Sequence, residues 1–193
     1  MNVRVVTPPA IEPVSLSEVK LQARIDYNDE DTLLAAYIKT ARQFVEENLS
    51  RALITQTLEV VLDTWWPASG LELPMPPVQS VTHVKYTDAD GAEQTLDANS
   101  YVLDVLSGRL MLKPGYSYPT VSLWPIGAVV IRYVAGYGSA ADNVPEPIRQ
   151  AIRMLAVHYY ENREAVLVER GGSVQMLPFA VDALLANYRV RVF

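Results

Sequence analysis

His158 and Glu161 stand three residues apart in the run His-Tyr-Tyr-Glu, a spacing that places two metal ligands on one turn of a helix. Two ligands do not complete a site. Zinc asks for three or four, with further groups to orient them, and the only other histidine, His83, falls in a stretch with strand periodicity. A polar network at a helix end is the simpler reading. Asp88-Ala-Asp90-Gly91 resembles part of a calcium loop, but matching Gly91 to the loop glycine puts Tyr86 at the first ligand position. It also puts Asp97 at the last, where a bidentate Glu belongs, so these residues read as a hairpin turn. The acidic run Asp26–Asp31 lacks the glycine and reads as helix capping.

Other chemistries find no better footing. A serine or threonine nucleophile needs a histidine base, and neither histidine lies in a recognisable pattern; Gly-x-Ser-x-Gly is absent. There is no phosphate loop, and Gly136-Tyr-Gly138 lacks the other glycines of a dinucleotide site, so it reads as a turn leaving a strand. Two carboxylates could meet in space, yet nothing marks a particular pair. With no cysteine, disulfides, thiolate zinc sites and cysteine nucleophiles are excluded. No catalytic, cofactor-binding or metal residue is therefore assigned, and no cofactor is expected. Trp65-Trp66-Pro67 with Tyr116 and Tyr118 leaves an alternative open: a carbohydrate-binding or tail-associated β module, against aromatics that cover a sheet edge or anchor an interface.

The elements that would carry these residues fall into three parts. Up to about Arg51 the pattern is helical. Ser15-Leu-Ser-Glu18 matches a capping box, and a longer helix follows with Leu33, Leu34, Tyr37, Ile38, Ala41, Phe44, Val45 and Leu49 on one face. From about Ala52 to Ala135 the period becomes two: Leu58 and Val60, then Val81–Tyr86, Gln94–Leu96, Tyr101–Val105, Arg109–Leu112 and Val129–Tyr133, with turns at Asp90-Gly91 and Ser107-Gly108. From Asn143 helical spacing returns. Asn143 is the expected N-cap, Ile148, Ala151, Ile152, Leu155, Ala156 and Tyr159 the buried stripe, and Pro178 opens a last helix with Val181, Leu184, Leu185 and Tyr188 inward. The expected fold is α+β: a helical bundle from residues 1–51 and 136–193, with residues 52–135 inserted as an antiparallel β-sheet or small barrel domain.

The chain has 193 residues and a net charge of −6, with half its residues apolar and a fifth charged. That balance speaks against a nucleic-acid binder, which needs clustered Lys and Arg, and suits a wall that DNA slides past. The N-terminus shows no signal peptide, and no apolar run approaches the roughly 20 residues of a membrane span. The expectation is a soluble intracellular protein without membrane association. Ala165–Leu177 contains Gly171-Gly172 among valines and a leucine, and is read either as a connector folded on its own core or as a segment ordered by a neighbouring subunit.

Several pieces taken together resemble the phage head–tail connector family. They are Pro8–Glu18, the acidic turn before the second helix, Val45–Ile54, Pro76–Val81, Tyr86–Gly91, Tyr133–Gly138 and Val144–Glu164, in order along nearly the whole chain. The resemblance implies a structural subunit in the branch of that family with a β domain, without catalytic residues. It implies a virion protein of the neck, assembled in the host cytoplasm. As a ring below the portal protein, it would dock a further neck or tail protein and let packaged DNA pass without specific binding. The candidate subunit or portal contacts are Val166, Leu167, Val168, Arg170, Val174 and Met176 in the apolar loop, and Arg189, Arg191 and Phe193 in the basic-apolar tail.

Overall fold

The computed structural model describes residues 2–163 and 179–190 of the chain. They divide into two compact units: residues 2–10 with Thr55–Tyr137, and Ile11–Ile54 with the described residues from Gly138 onward.

The second unit is helical. Helix α1 (Leu16–Ala23) opens on the expected capping box, with the Glu18 amide donating to Ser15 Oγ at 3.3 Å and the Ser15 amide to Glu18 Oε2 at 2.7 Å. Helix α2 (Asp31–Leu49) buries Leu34, Ile38, Ala41, Val45 and Leu49 of the stripe its spacing predicts, while Leu33, Tyr37 and Phe44 of that stripe are only half-buried. The acidic run ahead of α2 does not cap it through a side chain. The N-cap is Glu30, whose carboxylate instead accepts hydrogen bonds from Tyr160 Oη and pairs with Arg163. Helix α3 (Glu146–Glu161) buries Ile148, Ala151, Ile152, Leu155 and Ala156 as expected. It begins two residues later than the Asn143 reading, with Pro145 as N-cap, because Asn143 closes a 3-10 turn (Ala141–Asn143) and its Oδ1 accepts from the Ala140 amide at 3.0 Å. Helix α4 (Phe179–Leu185) packs on α3 and buries Val181 and Leu185.

Two buried charges in this unit escape the periodicity argument. Arg42 and Glu46 face the core from α2 and pair with each other, and Arg42 Nε also reaches Glu12 at 2.7 Å. The other oxygen of Glu46 accepts the Leu53 amide at 2.9 Å. One i, i+4 pair thus ties the segment entering the helices to the turn that leaves α2. Buried and bonded on both sides, it is costly to break from either side.

The first unit holds all the strands among the described residues. Its larger sheet has the order β1 (Asn2–Thr7), β2 (Gln56–Leu62), β8 (Val129–Ala135), β4 (Val78–Thr87), β5 (Glu93–Thr95), and each neighbouring pair is antiparallel. A second sheet runs β3 (Leu71–Glu72), β7 (Arg109–Leu112), β6 (Tyr101–Asp104). Two open sheets, not a barrel, fill the region of period two. Leu58, Val60, Val84, Tyr86, Val129, Ile131 and Tyr133 are buried on one face of the larger sheet, and the Tyr133 hydroxyl donates to the Pro74 carbonyl at 2.8 Å.

The N-terminal segment corrects the three-part reading. Residues Asn2–Thr7 are a strand, not a lead-in to the helices, and pair with β2 in the register Val3↔Val60, Arg4↔Glu59, Val5↔Leu58. Beneath that pairing lies Glu59, only 2% exposed although it faces the polar side of the sheet. Arg4 donates through Nε and Nη2 to Glu59 Oε2 at 2.6 and 2.5 Å. Arg132, opposite on β8, donates through the same two atoms to Oε1 at 2.7 and 2.5 Å. Burial pushes the Glu59 carboxyl up, but the hydrogen bonds and charges of Arg132 and Arg4 outweigh it and hold the group below the ordinary glutamate value.

Two outcomes follow for stability. Replacing Glu46 by Ala leaves Arg42 buried without its main partner, and urea unfolding should lose about 3–5 kcal/mol. Because Glu59 releases its proton at lower pH when folded than when unfolded, its contribution is complete above about 4.5 and fades as pH falls through the folded value. In Glu59→Gln the urea midpoint should be lower at neutral pH and fall less steeply on acidification than in the parent chain. Equal slopes would remove the carboxylate from the account.

Candidate functional site

The residues singled out for chemistry are occupied in structural work. His158 lies in the last turn of α3, where Asn162 Nδ2 sits 3.2 Å from its Nδ1 and donates to its carbonyl at 2.9 Å, the polar helix end anticipated above. His83 is on β4 opposite Arg132, and its pKa is held below the usual histidine value by burial and then by the nearby cations Arg132 and Lys85. Asp88 Oδ1 accepts the amides of Asp90 and Ala92 at 3.1 and 3.0 Å, and Oδ2 accepts Gln94 Nε2 at 3.0 Å. The carboxylate thereby braces the β4–β5 hairpin, with Gly91 at φ +83° supplying the turn. Among the described residues no three His, Cys, Asp or Glu side chains group as a metal site.

Two carboxylates of the helical unit, Glu18 and Glu30, are likewise matched to cations and hydroxyls. Glu18, besides capping α1, accepts Arg149 Nη2 at 2.7 Å and Arg153 Nη1 at 3.1 Å. Burial pushes its carboxyl up, and the Ser15 hydrogen bonds with the two arginines bring it net below the ordinary value. Glu30 is held low first by Tyr160 and then by Arg163, while Tyr160 is pushed above the normal phenol range. Tyr27 Oη lies 2.6 Å from Tyr160 Oη, and the Arg163 guanidinium covers the Tyr160 ring at 4.8 Å. A general acid or base needs a proton to lend near neutral pH. These carboxylates are shifted the other way, which favours permanent charge and fixed geometry.

The aromatic group is a packed cluster. Trp65 stacks on Tyr118 with ring centroids 4.7 Å apart and planes 11° from parallel, and Trp66 meets Tyr118 edge-on at 5.3 Å. Trp66 is 3% exposed. The Tyr118 hydroxyl donates to the Trp66 carbonyl at 2.8 Å, and burial pushes its pKa up to about 12. Ring faces used on each other are not free to stack on a sugar. Only Tyr116, at the rim of a shallow cleft with Tyr86, Asp97, Ser100 and Tyr118, keeps an exposed ring.

Of the residues expected to make contacts, Val166, Leu167, Val168, Arg170, Val174, Met176, Arg191 and Phe193 lie outside the described residues. Arg189 lies within them and binds its own unit, donating to Asp182 Oδ1 at 2.5 Å and to Asn48 Oδ1 at 3.1 Å. Beside it the Val190 amide donates to the Leu49 carbonyl at 3.2 Å. The chain therefore stays attached to the end of α2 up to Val190.

What the sequence reading missed is apolar exposure on the β unit. Val3, Val5 and Val6 are exposed along β1, Val105 and Leu106 at the β6–β7 turn, and Trp124 and Ile126 in the loop before β8. Leu106 is 98% exposed. Surface of this kind marks protein contacts more often than chemistry. The available signal was the placement of bulky apolar residues within turn segments such as Trp124-Pro-Ile126-Gly127. No helix among the described residues is long and apolar enough to cross a membrane.

Among curated proteins none matches significantly. Solved structures do. A chain from the neck of an empty gene transfer agent (GTA) particle computed with C6 symmetry is 28% identical with a TM-score of 0.77, and one from the virion of a native GTA particle is 27% identical at 0.78. A chain from the neck of a native GTA particle computed with C12 symmetry is 28% identical at 0.72. Each similarity covers 100% of this chain and 98% of the other. The phage gp6-like head–tail connector family matches residues 13–189, and the chain belongs to that family of structural head–tail connectors.

Proposed function

We propose that this connector assembles as a homo-oligomeric ring on the portal protein of a tailed phage, prophage or gene-transfer particle. It offers the ring's far side to the next neck or tail protein. Assembly takes place in the host cytoplasm, and the finished subunit resides in the virion neck. The observation that carries this reading is the end-to-end similarity to chains of GTA necks treated with C6 and C12 symmetry. A ring needs a heterologous interface in which one patch meets a different patch on the next copy, and the exposed apolar residues of the β unit supply material for one. A net charge of −6 keeps affinity for phosphate low, as suits a conduit through which packaged DNA moves without specific binding.

No catalytic step is assigned. The carboxylates singled out above are bound to arginines, tyrosines and backbone amides. Residues 166–176 and the tail from Arg189 onward are the proposed contacts with the portal or a neighbouring subunit. Since Arg189 and Val190 also hold the end of α2, the tail's own role is best isolated by truncation after Val190.

Native mass spectrometry of the chain with its portal should show a ring matched to portal symmetry, and failure to bind the portal would sink the reading. Truncation after Val190 should abolish portal capture with an unchanged unfolding midpoint; undiminished capture would remove the tail from the contact. Titration of tryptophan fluorescence with oligosaccharides should be flat, because Trp65 and Trp66 are closed against Tyr118. A saturable change would revive the carbohydrate-binding alternative.

A further inference from the structure

The free edge formed by β1 is not built for water. β1 pairs with β2 on one side, and among the described residues no strand lies on its other side. All six of its residues are exposed, and three of them are valines, Val3, Val5 and Val6, at 39%, 54% and 39%. Open edges are ordinarily protected by outward lysines, by proline within the strand, or by being very short. β1 uses none of these three, and the one register shift in its pairing with β2 falls at its end, between Val5 and Thr7. Its single charge, Arg4, is spent on Glu59, and Pro8 and Pro9 come after the strand has ended.

The opposite edge of the same sheet is β5, three exposed residues, Glu93, Gln94 and Thr95. Register fixes which face each side chain takes. Arg4, Glu59, Arg132 and His83 form one row across β1, β2, β8 and β4. Lys85, two residues on from His83, lies on that same face and binds Glu93 at 2.6 Å. The sheet thus carries a cation at one edge and an anion at the other, on one face. Both are largely in solvent, with 67% of the Arg4 side chain and 60% of that of Glu93 exposed. Because every neighbouring pair is antiparallel, β1 and β5 run in the same direction. Copies related by rotation about an axis near the strand direction would bring β5 of one beside β1 of the next as a parallel pair.

We infer that β1 is a subunit contact of the ring: the β1 edge of one copy is covered by the β5 edge of the next, so that the larger sheet continues from subunit to subunit. This rests on the ring reading above. The edges are different and complementary, as a closed heterologous ring requires. A second copy is the occupant because this chain itself carries the second, different edge, with the half-exposed Glu93 carboxylate on the same face as the exposed Arg4 side chain. The short β5 limits the backbone pairing to a few bonds, so each contact is weak and its strength comes from closure around the ring.

The chain contains no cysteine, so introduced thiols are unique. The double variant Thr7→Cys with Thr95→Cys, whose side chains take the same face of the larger sheet, co-expressed with the portal and treated with a short bismaleimide, should give a ladder of covalent multimers on a denaturing gel. Each single variant should stay monomeric. Val5→Lys should lower the yield of rings on the portal about tenfold while the unfolding midpoint is unchanged. Rings that form normally without a ladder in the double variant, or with full yield in a folded Val5→Lys chain, overturn the inference and leave the ring reading intact. If the parent chain forms no ring on the portal, the ring reading itself fails and this contact falls with it.

Discussion

Glu59 is the constraint on which the β unit turns. A carboxylate in the middle of a strand, 2% exposed, is tolerable only when both its oxygens are fully bonded. Arg4 takes one oxygen and Arg132 the other, so the demand of one buried charge recruits the strands on either side. One of them is the N-terminal segment, which buries none of its own residues and gains little from apolar contact. The ion triad and the backbone ladder to β2 are what hold it in the sheet. Once held, it presents its valines and its unpaired side outward, and the sheet acquires an edge suited to another chain.

The helical unit uses charge in the same way. Glu46 and Arg42 sit where periodicity alone would place leucines, and they join the segment before α1 to the turn after α2. Glu18 starts α1 and gathers Arg149 and Arg153 from α3, while Glu30 and Arg163 fasten the start of α2 to the end of α3. These pairs cross between elements that apolar stripes would allow to slide. Packing sets which faces meet, and the buried or half-buried charges set the register at which they meet.

Membership of the head–tail connector family accords with a molecule in which Glu18, Glu30, Glu46 and Glu59 are bound to its own arginines, tyrosines and amides, and in which apolar side chains such as Leu106, Ile126 and Leu21 lie on the surface. A shallow cleft opens beside Tyr116, whose neighbours Trp65, Trp66 and Tyr118 are engaged with one another.

The sequence by itself determined the local elements and the family. Ser15 and Glu18 announced the start of α1, the stripes of α2 and α3 named their buried residues, and Asp90-Gly91 and Ser107-Gly108 marked their turns. Each of these depends on contacts within a few positions along the chain, which periodicity and capping record directly. The strand β1, the burial of Glu59 and the closing of the tryptophans against Tyr118 were decided only by the tertiary structure. Arg4 and Arg132 lie 55 and 73 residues from Glu59, and Tyr118 lies 52 from the Trp66 carbonyl it binds. Val3, Arg4 and Val5 alternate as a strand would, but nothing within a few positions names β2 as the partner, and a glutamate between Leu58 and Val60 looks solvent-facing until its own partners arrive from elsewhere in the chain.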